Sequence, residues 1–328
     1  MSWDLLGHEW AVGMLREHVA RRSLRHAYLI TGPQGVGRRT LALRLSQAIN
    51  CLQPPAPGEP CGACRACTLI GRMAHPDLAV VQAAQLGGTM KVDQIRELQS
   101  SLSLSPYEAQ YRVAVLLRFE EAHISAQNAF LKTLEEPPPR VILLLTAESP
   151  ERLLSTVVSR CEVLRLRPLP VGEVHRGLQE QWDLPEDQAL LLAHLSGGRP
   201  GYALRLFQSP EMLEARRVRL EDHFRILGSS RSQRFEYAEK LVKDKDGLLT
   251  TLQTWASMWR DVLMCAAGSA APLVNLDRAQ EIARLASRFG LHKANEVVLA
   301  IQRTSELLNH NVNPRLAIEV LMLDLPFL

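Results

Sequence analysis

The segment H-A-Y-L-I-T-G-P-Q-G-V-G-R-R-T, His26 to Thr40, constrains the fold of this chain more than any other. A short apolar run, Ala27–Thr31, ends at a glycine-rich loop, and Thr40–Asn50 then carries Leu41, Leu45 and Ala48 at helical spacing. Strand, glycine loop and helix in that order form a turn whose backbone N–H groups converge, as they do around phosphates in G-x-x-x-x-G-K-[ST]. Gly32, Gly35 and Gly37 keep the glycine pattern, but Arg38 stands in place of the lysine and Arg39 in place of the hydroxyl residue. A broad guanidinium does not replace a compact ammonium at a shaped site. Arg39 cannot ligate Mg²⁺ and adds positive charge where the cation would sit. Thr40 offers a hydroxyl one residue late, and a helix turns about 100° per residue, so it points elsewhere.

The rest of the first half repeats the alternation. Leu78–Val81, Val113–Leu117, Val141–Thr146 and Val163–Leu166 read as strands, and Val92–Leu102 as a helix with Asp93 in its dipole-favoured first turn. This predicts an α/β fold with a parallel sheet covered on both faces. After Arg167-Pro168-Leu169-Pro170 the patterns are almost entirely helical, including Leu248–Met264 and Ala279–Phe289. A turn at Gly197–Gly201 and polar loops at Gly228–Gln233 and Gly268–Ala271 punctuate them. Three domains are expected, 1–167, 168–208 and 209–328, in a chain of 328 residues that exceeds one compact core.

With 46% hydrophobic and 22% charged residues the composition is that of a soluble protein. The first ten residues, Met1 to Trp10, have no basic region followed by an apolar run, so no signal peptide is expected. Apolar runs such as Val141–Leu145 fall far short of the roughly 20 residues of a membrane helix, and a cytoplasmic protein is expected. A net charge of +3 argues against a dedicated DNA-binding surface. Arg216, Arg217 and Arg219 are expected on a solvated helix face. Trp255 and Trp259, four residues apart, are expected in a helical core.

Four of the six cysteines, Cys51, Cys61, Cys64 and Cys67, follow the spacing C-x9-C-x2-C-x2-C. Four thiolates in so short a loop suit one tetrahedral Zn²⁺ in a closed, structural site. A disulfide pair or an iron–sulfur cluster are the competing uses. Cys161 and Cys265 lie apart and are expected to be small buried hydrophobes.

The segment N-A-F-L-K-T-L-E-E-P-P-P, Asn128 to Pro139, followed by S-R-C, Ser159 to Cys161, resembles bacterial replicative clamp loaders of the AAA+ superfamily. The cysteine knuckle behind the glycine loop, His26–Pro33 and Asn311–Leu321 extend the resemblance over essentially the whole chain and narrow it to the DNA polymerase III holoenzyme. The resemblance implies a RecA-like domain, a three-helix lid and a helical collar that joins five subunits in an open ring. It implies gamma/tau ATPase subunits and a delta subunit as partners, with a sliding clamp and primer–template DNA reached through the complex.

It also says where ATPase parts should lie. Counting back without gaps from Asn128 puts Leu117 and Arg118 at the Asp-Glu positions, while Glu120 and Glu121 fall three residues late. In the lid stretch G-R-P-G-Y-A-L, Gly201 stands where the arginine would be, with Arg199 two residues away. Thr146 reads as a polar sensor or as an ordinary strand-end threonine, the second being preferred. Hydrolysis in cis is therefore not expected. The resemblance instead makes Arg160, flanked by Ser159 and Cys161, an arginine finger for a neighbouring subunit's ATP, against the plainer reading of an arginine paired with an acid such as Glu162. An active ATPase motor subunit and a zinc-dependent DNA-binding module remain the alternative readings.

Overall fold

The computed structural model describes residues 3–85, 87–309 and 312–328, with the side chains of Lys245, Asp246 and Asn309 excepted. Met1, Ser2 and Asn311, used above, lie outside the described residues. The chain divides into two compact units, Met1–Gly177 with Gly198–Tyr202, and Leu178–Gly197 with Ala203–Leu328.

The first unit is the α/β part. In chain order it runs α1 (Glu9–Ala20), β1 (Ala27–Thr31), α2 (Arg38–Asn50), α3 (Arg65–Gly71), β2 (Leu78–Val81), α4 (Val92–Leu102), β3 (Arg112–Leu116), α5 (Ile124–Glu135), β4 (Val141–Ala147), α6 (Ser155–Val158) and β5 (Glu162–Arg165). The strands form one sheet in the order β2-β3-β4-β1-β5, every pair parallel. Successive side chains of β1 go to opposite faces, as the pleat requires. Tyr28 and Ile30 join Leu41 and Leu45 of α2 on one side, and Ala27 and Leu29 join Phe130 and Leu134 of α5 on the other. β1 is buried along its whole length, so the glycine loop leaves the middle of a sheet covered on both faces.

The strand boundaries differ from the sequence expectation by a residue. β3 ends at Leu116, not Leu117, and β5 covers Glu162–Arg165, not Val163–Leu166. α2 begins at Arg38, two residues earlier than the apolar pattern suggests, because Gly37 at φ 116° lets the chain turn directly into the helix.

The helical part continues with α7 (Val171–Trp182), α8 (Glu186–Ser196), α9 (Pro200–Gln208), α10 (Pro210–Leu227), α11 (Arg231–Lys243), α12 (Lys245–Ala266), α13 (Ala279–Asn309) and α14 (Pro314–Asp324). Trp255 and Trp259 are fully buried in the core of the second unit, as expected. α13 breaks at Gly290, whose φ of 67° and ψ of −178° are not helical. The helix expected from Ala279 to Phe289 thus ends where expected, and a second segment follows. The expected loop at Gly228–Gln233 is shorter, since Ser230 caps α11 by accepting from the Gln233 N–H.

Two sequence expectations fail here. Cys265 is exposed in the last turn of α12, not buried. Arg216 is not solvated: its side chain is mostly buried, pairing with Asp277 at 2.7 Å and donating to Asn275 Oδ1 at 2.6 Å. Arg217 does lie on an exposed face, between Glu214 and Glu221.

Arg234 is the most heavily committed polar side chain of this unit. Its guanidinium, 1% exposed, donates to five main-chain carbonyls, those of Ile226, Leu227, Met322, Leu325 and Pro326. Five N–H groups thus meet five acceptors, which is how a buried arginine avoids an unpaired donor. The Phe327 ring lies 3.7 Å from the guanidinium carbon.

His223 is fully buried nearby and accepts from the Trp259 indole N–H at 2.7 Å. Burial, with a smaller push from Arg234, lowers its imidazole from 6.5 to about 3. The unfolded chain therefore binds the proton more tightly, and the stability that the neutral ring contributes is complete above pH 6.5 and is lost as pH falls toward 3. Urea unfolding followed by tryptophan fluorescence should show the midpoint falling through this window, and His223→Gln should flatten that dependence. An imidazole titrating near 6.5 by NMR in the folded chain would overturn the assignment.

Candidate functional site

The glycine loop, Gly32 to Gly37, joins β1 to α2. Gly32 at φ 145° donates to the carbonyls of Ala147 and Glu148 at 3.2 and 3.1 Å, and a Cβ there would stand 2.4 Å from the Leu166 carbonyl oxygen. The loop is thus pinned to the ends of its neighbouring strands. His8 Nε2 lies 3.1 Å from the Val36 carbonyl oxygen beneath it.

The turn Gly198–Tyr202 belongs to the same compact unit and lies on the loop. The Gly201 N–H donates to the Gly35 carbonyl at 2.8 Å. A Cβ on Gly201 would be 3.0 Å from that oxygen, and one on Gly35 would be 2.9 Å from the Tyr202 nitrogen. Glycine at both positions allows two backbones to touch. Arg199 stacks its guanidinium over the Tyr202 ring at 4.5 Å.

Arg38 turns inward from the first residue of α2. Its side chain is 7% exposed and faces Glu120, 8% exposed, at 3.8 Å. Burial pulls the guanidinium below the ordinary arginine range, against the opposing pull of Glu120, and burial likewise raises the Glu120 carboxyl. Each partner suffers from desolvation, and the two are close enough to attract without sharing a hydrogen bond: Arg38 Nη1 and Glu120 Oε2 are buried with no hydrogen-bond partner among the described residues. Ungapped counting placed Glu120 three residues too late to matter. The structure brings it to the loop because Arg118, at φ 52°, folds the chain back into a single 3-10 turn, Phe119–Glu121. The signal in the sequence was the pair of adjacent acids, Glu120 and Glu121, placed two and three residues after Arg118 just past a buried strand.

The other expected metal and sensor positions are spent elsewhere. Leu117 is buried in the apolar core. Arg118 pairs with Glu121 at 2.9 Å, and its backbone N–H donates to Thr146 Oγ1 at 2.9 Å. Thr146 thus caps a backbone group, as a strand-end threonine does. Arg39 and Thr40 are exposed on the outer face of α2, where with Leu43, Arg44, Gln47 and Gly71 they line a groove of about 370 Å³. Thr40 does point away from the loop.

The cysteine knuckle follows α2. The sulfurs of Cys51, Cys61, Cys64 and Cys67 all lie within 4.8 Å of one another. Tetrahedral Zn²⁺ with bonds of about 2.3 Å places its sulfurs about 3.8 Å apart, and Cys61 and Cys67 are at 4.0 Å. Backbone N–H groups of Cys61, Cys64 and Cys67 point at the sulfurs of Cys51, Cys61 and Cys64 at 3.3 to 3.5 Å, and N–H donors of this kind hold Cys61 below the ordinary thiol range. Donors aimed at sulfur favour thiolates, the form a metal ion takes. The residues present therefore fit one metal ion. Gln47 Nε2 donates to the Cys67 carbonyl at 2.7 Å, and the Trp3 indole N–H to the Gly58 carbonyl at 3.2 Å, so the knuckle is fastened to the α/β unit at both ends.

Arg160 lies just past α6, with its side chain 33% exposed. It pairs with an acid, as the plainer reading supposed, though the acid is Glu135 at the end of α5, at 2.5 Å, and not Glu162. Glu162 is 3.9 Å from Arg25. Ser159 Oγ donates to the Thr156 carbonyl, and Cys161, half-buried, has its thiol pushed up to about 12 by burial.

Comparison with known proteins follows this geometry closely. A family model described as DNA polymerase III, delta subunit, matches residues 7–170, and one for the C-terminal part of that subunit matches residues 211–326. The delta' subunit of Bacillus subtilis DNA polymerase III is 30% identical over 95% of this chain and 94% of its own length. The chain belongs to the DNA polymerase III delta' subunit family. The Pseudomonas aeruginosa delta' subunit is 32% identical over 76% of this chain and 72% of its own length. The Bacillus subtilis tau subunit is 29% identical over 74% of this chain but 43% of its own length. The parallel five-stranded sheet of the first unit is the α/β fold expected, and the following region is helical throughout its regular elements, as expected.

The closeness of the glycine loop to the Gly198–Tyr202 turn is testable by adding one carbon. Gly35→Ala should cost about 1–3 kcal/mol, since it combines positive φ with a clash against the Tyr202 backbone. Gly268→Ala has positive φ but nothing within 4 Å, so it should cost less in the same thermal melts. Equal effects would mean that the turn does not press on the loop.

Proposed function

We propose that this chain is the non-hydrolysing, stator-like subunit of the DNA polymerase III clamp loader. It would assemble with gamma/tau ATPase subunits and a delta subunit into a five-membered ring that places the sliding clamp on primer–template DNA. The observation that carries this reading is the state of the phosphate loop. Arg38 is buried against Glu120 where a lysine would face phosphate, and Arg39, in place of the hydroxyl residue, lies exposed on the outer face of α2. Leu117 offers no carboxylate to a metal ion. Phosphoryl transfer rests on positioning and charge stabilisation, and neither is provided for a nucleotide held in cis.

The catalytic contribution would come from Arg160 as a finger toward the ATP of a neighbouring subunit. A guanidinium so placed is worth about 10³–10⁵ in rate. The knuckle would hold Zn²⁺ through Cys51, Cys61, Cys64 and Cys67, in a closed structural role. Residues 168–208 would form the lid and 209–328 the collar, in a cytoplasmic, replisome-associated complex. No helix among the described residues is long and apolar enough to cross a membrane. The holoenzyme is a DNA-directed DNA polymerase, but this subunit would catalyse nothing alone.

Calorimetric titration of the isolated chain with ATP and Mg²⁺ should give no binding at micromolar protein, whereas an active motor subunit would bind. In a complex reconstituted with tau or gamma and delta subunits, Arg160→Ala should leave assembly intact on gel filtration and lower DNA-stimulated ATPase at least about tenfold. Unchanged ATPase in an intact complex would falsify the finger. Metal analysis should return one zinc per chain, and Cys64→Ser or chelation should lower the thermal midpoint; iron in its place would refute the zinc assignment.

A further inference from the structure

The side chain of Arg160 is held at two nitrogens. Nη1 donates to the Thr156 carbonyl at 2.8 Å, one turn back on its own segment, and Nη2 donates to Glu135 Oε1 at 2.5 Å. Glu135 ends α5, 25 residues earlier in the chain. The same helix also steadies the front of α6. Gln127, buried in α5, accepts from the Leu154 backbone N–H at 3.1 Å while its amide donates to the Ala122 carbonyl. α5 therefore holds the front of α6 through Gln127 and the S-R-C turn behind it through Glu135.

We infer that Glu135 is a positioning residue for Arg160, fixing the plane of its guanidinium before a neighbouring subunit's nucleotide arrives. The inference rests on the finger reading of Arg160. A free arginine side chain has many rotamers, and each hydrogen bond to phosphate must first overcome that freedom. Two nitrogens fixed by Thr156 and Glu135 leave one orientation for the plane. The planar fork has five donors, so Nη2 can keep the carboxylate on one hydrogen while other N–H groups face outward. Glu135 is 49% exposed, so the pair is not a core element and its loss leaves the fold intact. It touches no reacting atom on this reading and acts only through Arg160. The arrangement also gives a physical reason why K-T-L-E-E and S-R-C occur in one chain: the glutamate of the first segment holds the arginine of the second.

The test uses the reconstituted complex of this chain with tau or gamma and delta subunits. Glu135→Ala should lower kcat of DNA-stimulated ATPase about threefold to fivefold, the kinetic equivalent of an exposed ion pair, with KM for ATP unchanged. Glu135→Gln, whose amide oxygen still accepts from Nη2, should recover most of that loss. The double variant with Arg160→Ala should be no slower than Arg160→Ala alone, since Glu135 has nothing else to position. Equal thermal midpoints for wild type and Glu135→Ala show that folding is not the cause. If Arg160→Ala slows the complex but Glu135→Ala leaves it unchanged or speeds it, the positioning role is overturned while the finger stands. If Arg160→Ala itself has no effect, the finger reading falls, and the positioning role with it.

Discussion

The buried pairing of Arg38 with Glu120 is the constraint on which the rest of the α/β unit turns. A guanidinium removed from water needs a carboxylate beside it, and losing either partner of such a pair commonly costs about 3–5 kcal/mol. Glu120 is available only because the chain reverses at Arg118, and that reversal is fastened to Thr146 at the end of β4. Glu120 Oε1 also accepts from the Glu148 N–H, just beyond β4. The first turn of α2, the turn after β3 and the turn after β4 are thus tied to a single charge pair. Three loops that surround a moving nucleotide in an ATPase here meet around Glu120, and the hydrogen bond from Gly201 to Gly35 brings in a fourth.

Much of this architecture could be read from residues alone, for identifiable reasons. Strands buried on both faces are short apolar runs, and glycines mark the loop between β1 and α2, so β1, β4 and α2 were legible. Gly290 was legible as an end of the Ala279 helix because glycine there interrupts the apolar spacing. Leu117 was legible as an apolar core residue, and it is buried just past β3. The cysteine spacing carried its own geometry.

The failures share one cause, which is that pairing between distant segments leaves no periodic trace. The approach of Glu120 to Arg38 was not foreseen, because it depends on the single 3-10 turn that positive φ at Arg118 sets up, and residue counting does not register such a fold-back. For Arg160 the plainer reading offered Glu162, two residues away, but Arg160 lies in the turn after α6 while Glu162 opens β5 beside Arg25. The partner of Arg160, Glu135, comes from another helix. Arg216 looked like one of a solvated row, yet helix periodicity turns it from Arg217 by about 100°, and Asp277 and Asn275 were waiting on that side. Cys265 was assigned to the core by residue type alone, and its place in the last turn of α12 leaves it in solvent.

The five carbonyls gathered by Arg234 bear on the order in which this protein can be made. Three of them, from Met322, Leu325 and Pro326, lie 88 to 92 residues further along the chain. A ribosome delivers Arg234 long before it delivers them. Until they arrive, the guanidinium has acceptors only at Ile226 and Leu227, and burying it half-paired is unfavourable. The α/β unit has all its strands by Arg165 and can close during synthesis, whereas the helical core around Trp255 and Trp259 must wait for the last turn of α14. Protease digestion of arrested chains would register this as early protection of one unit and late protection of the other.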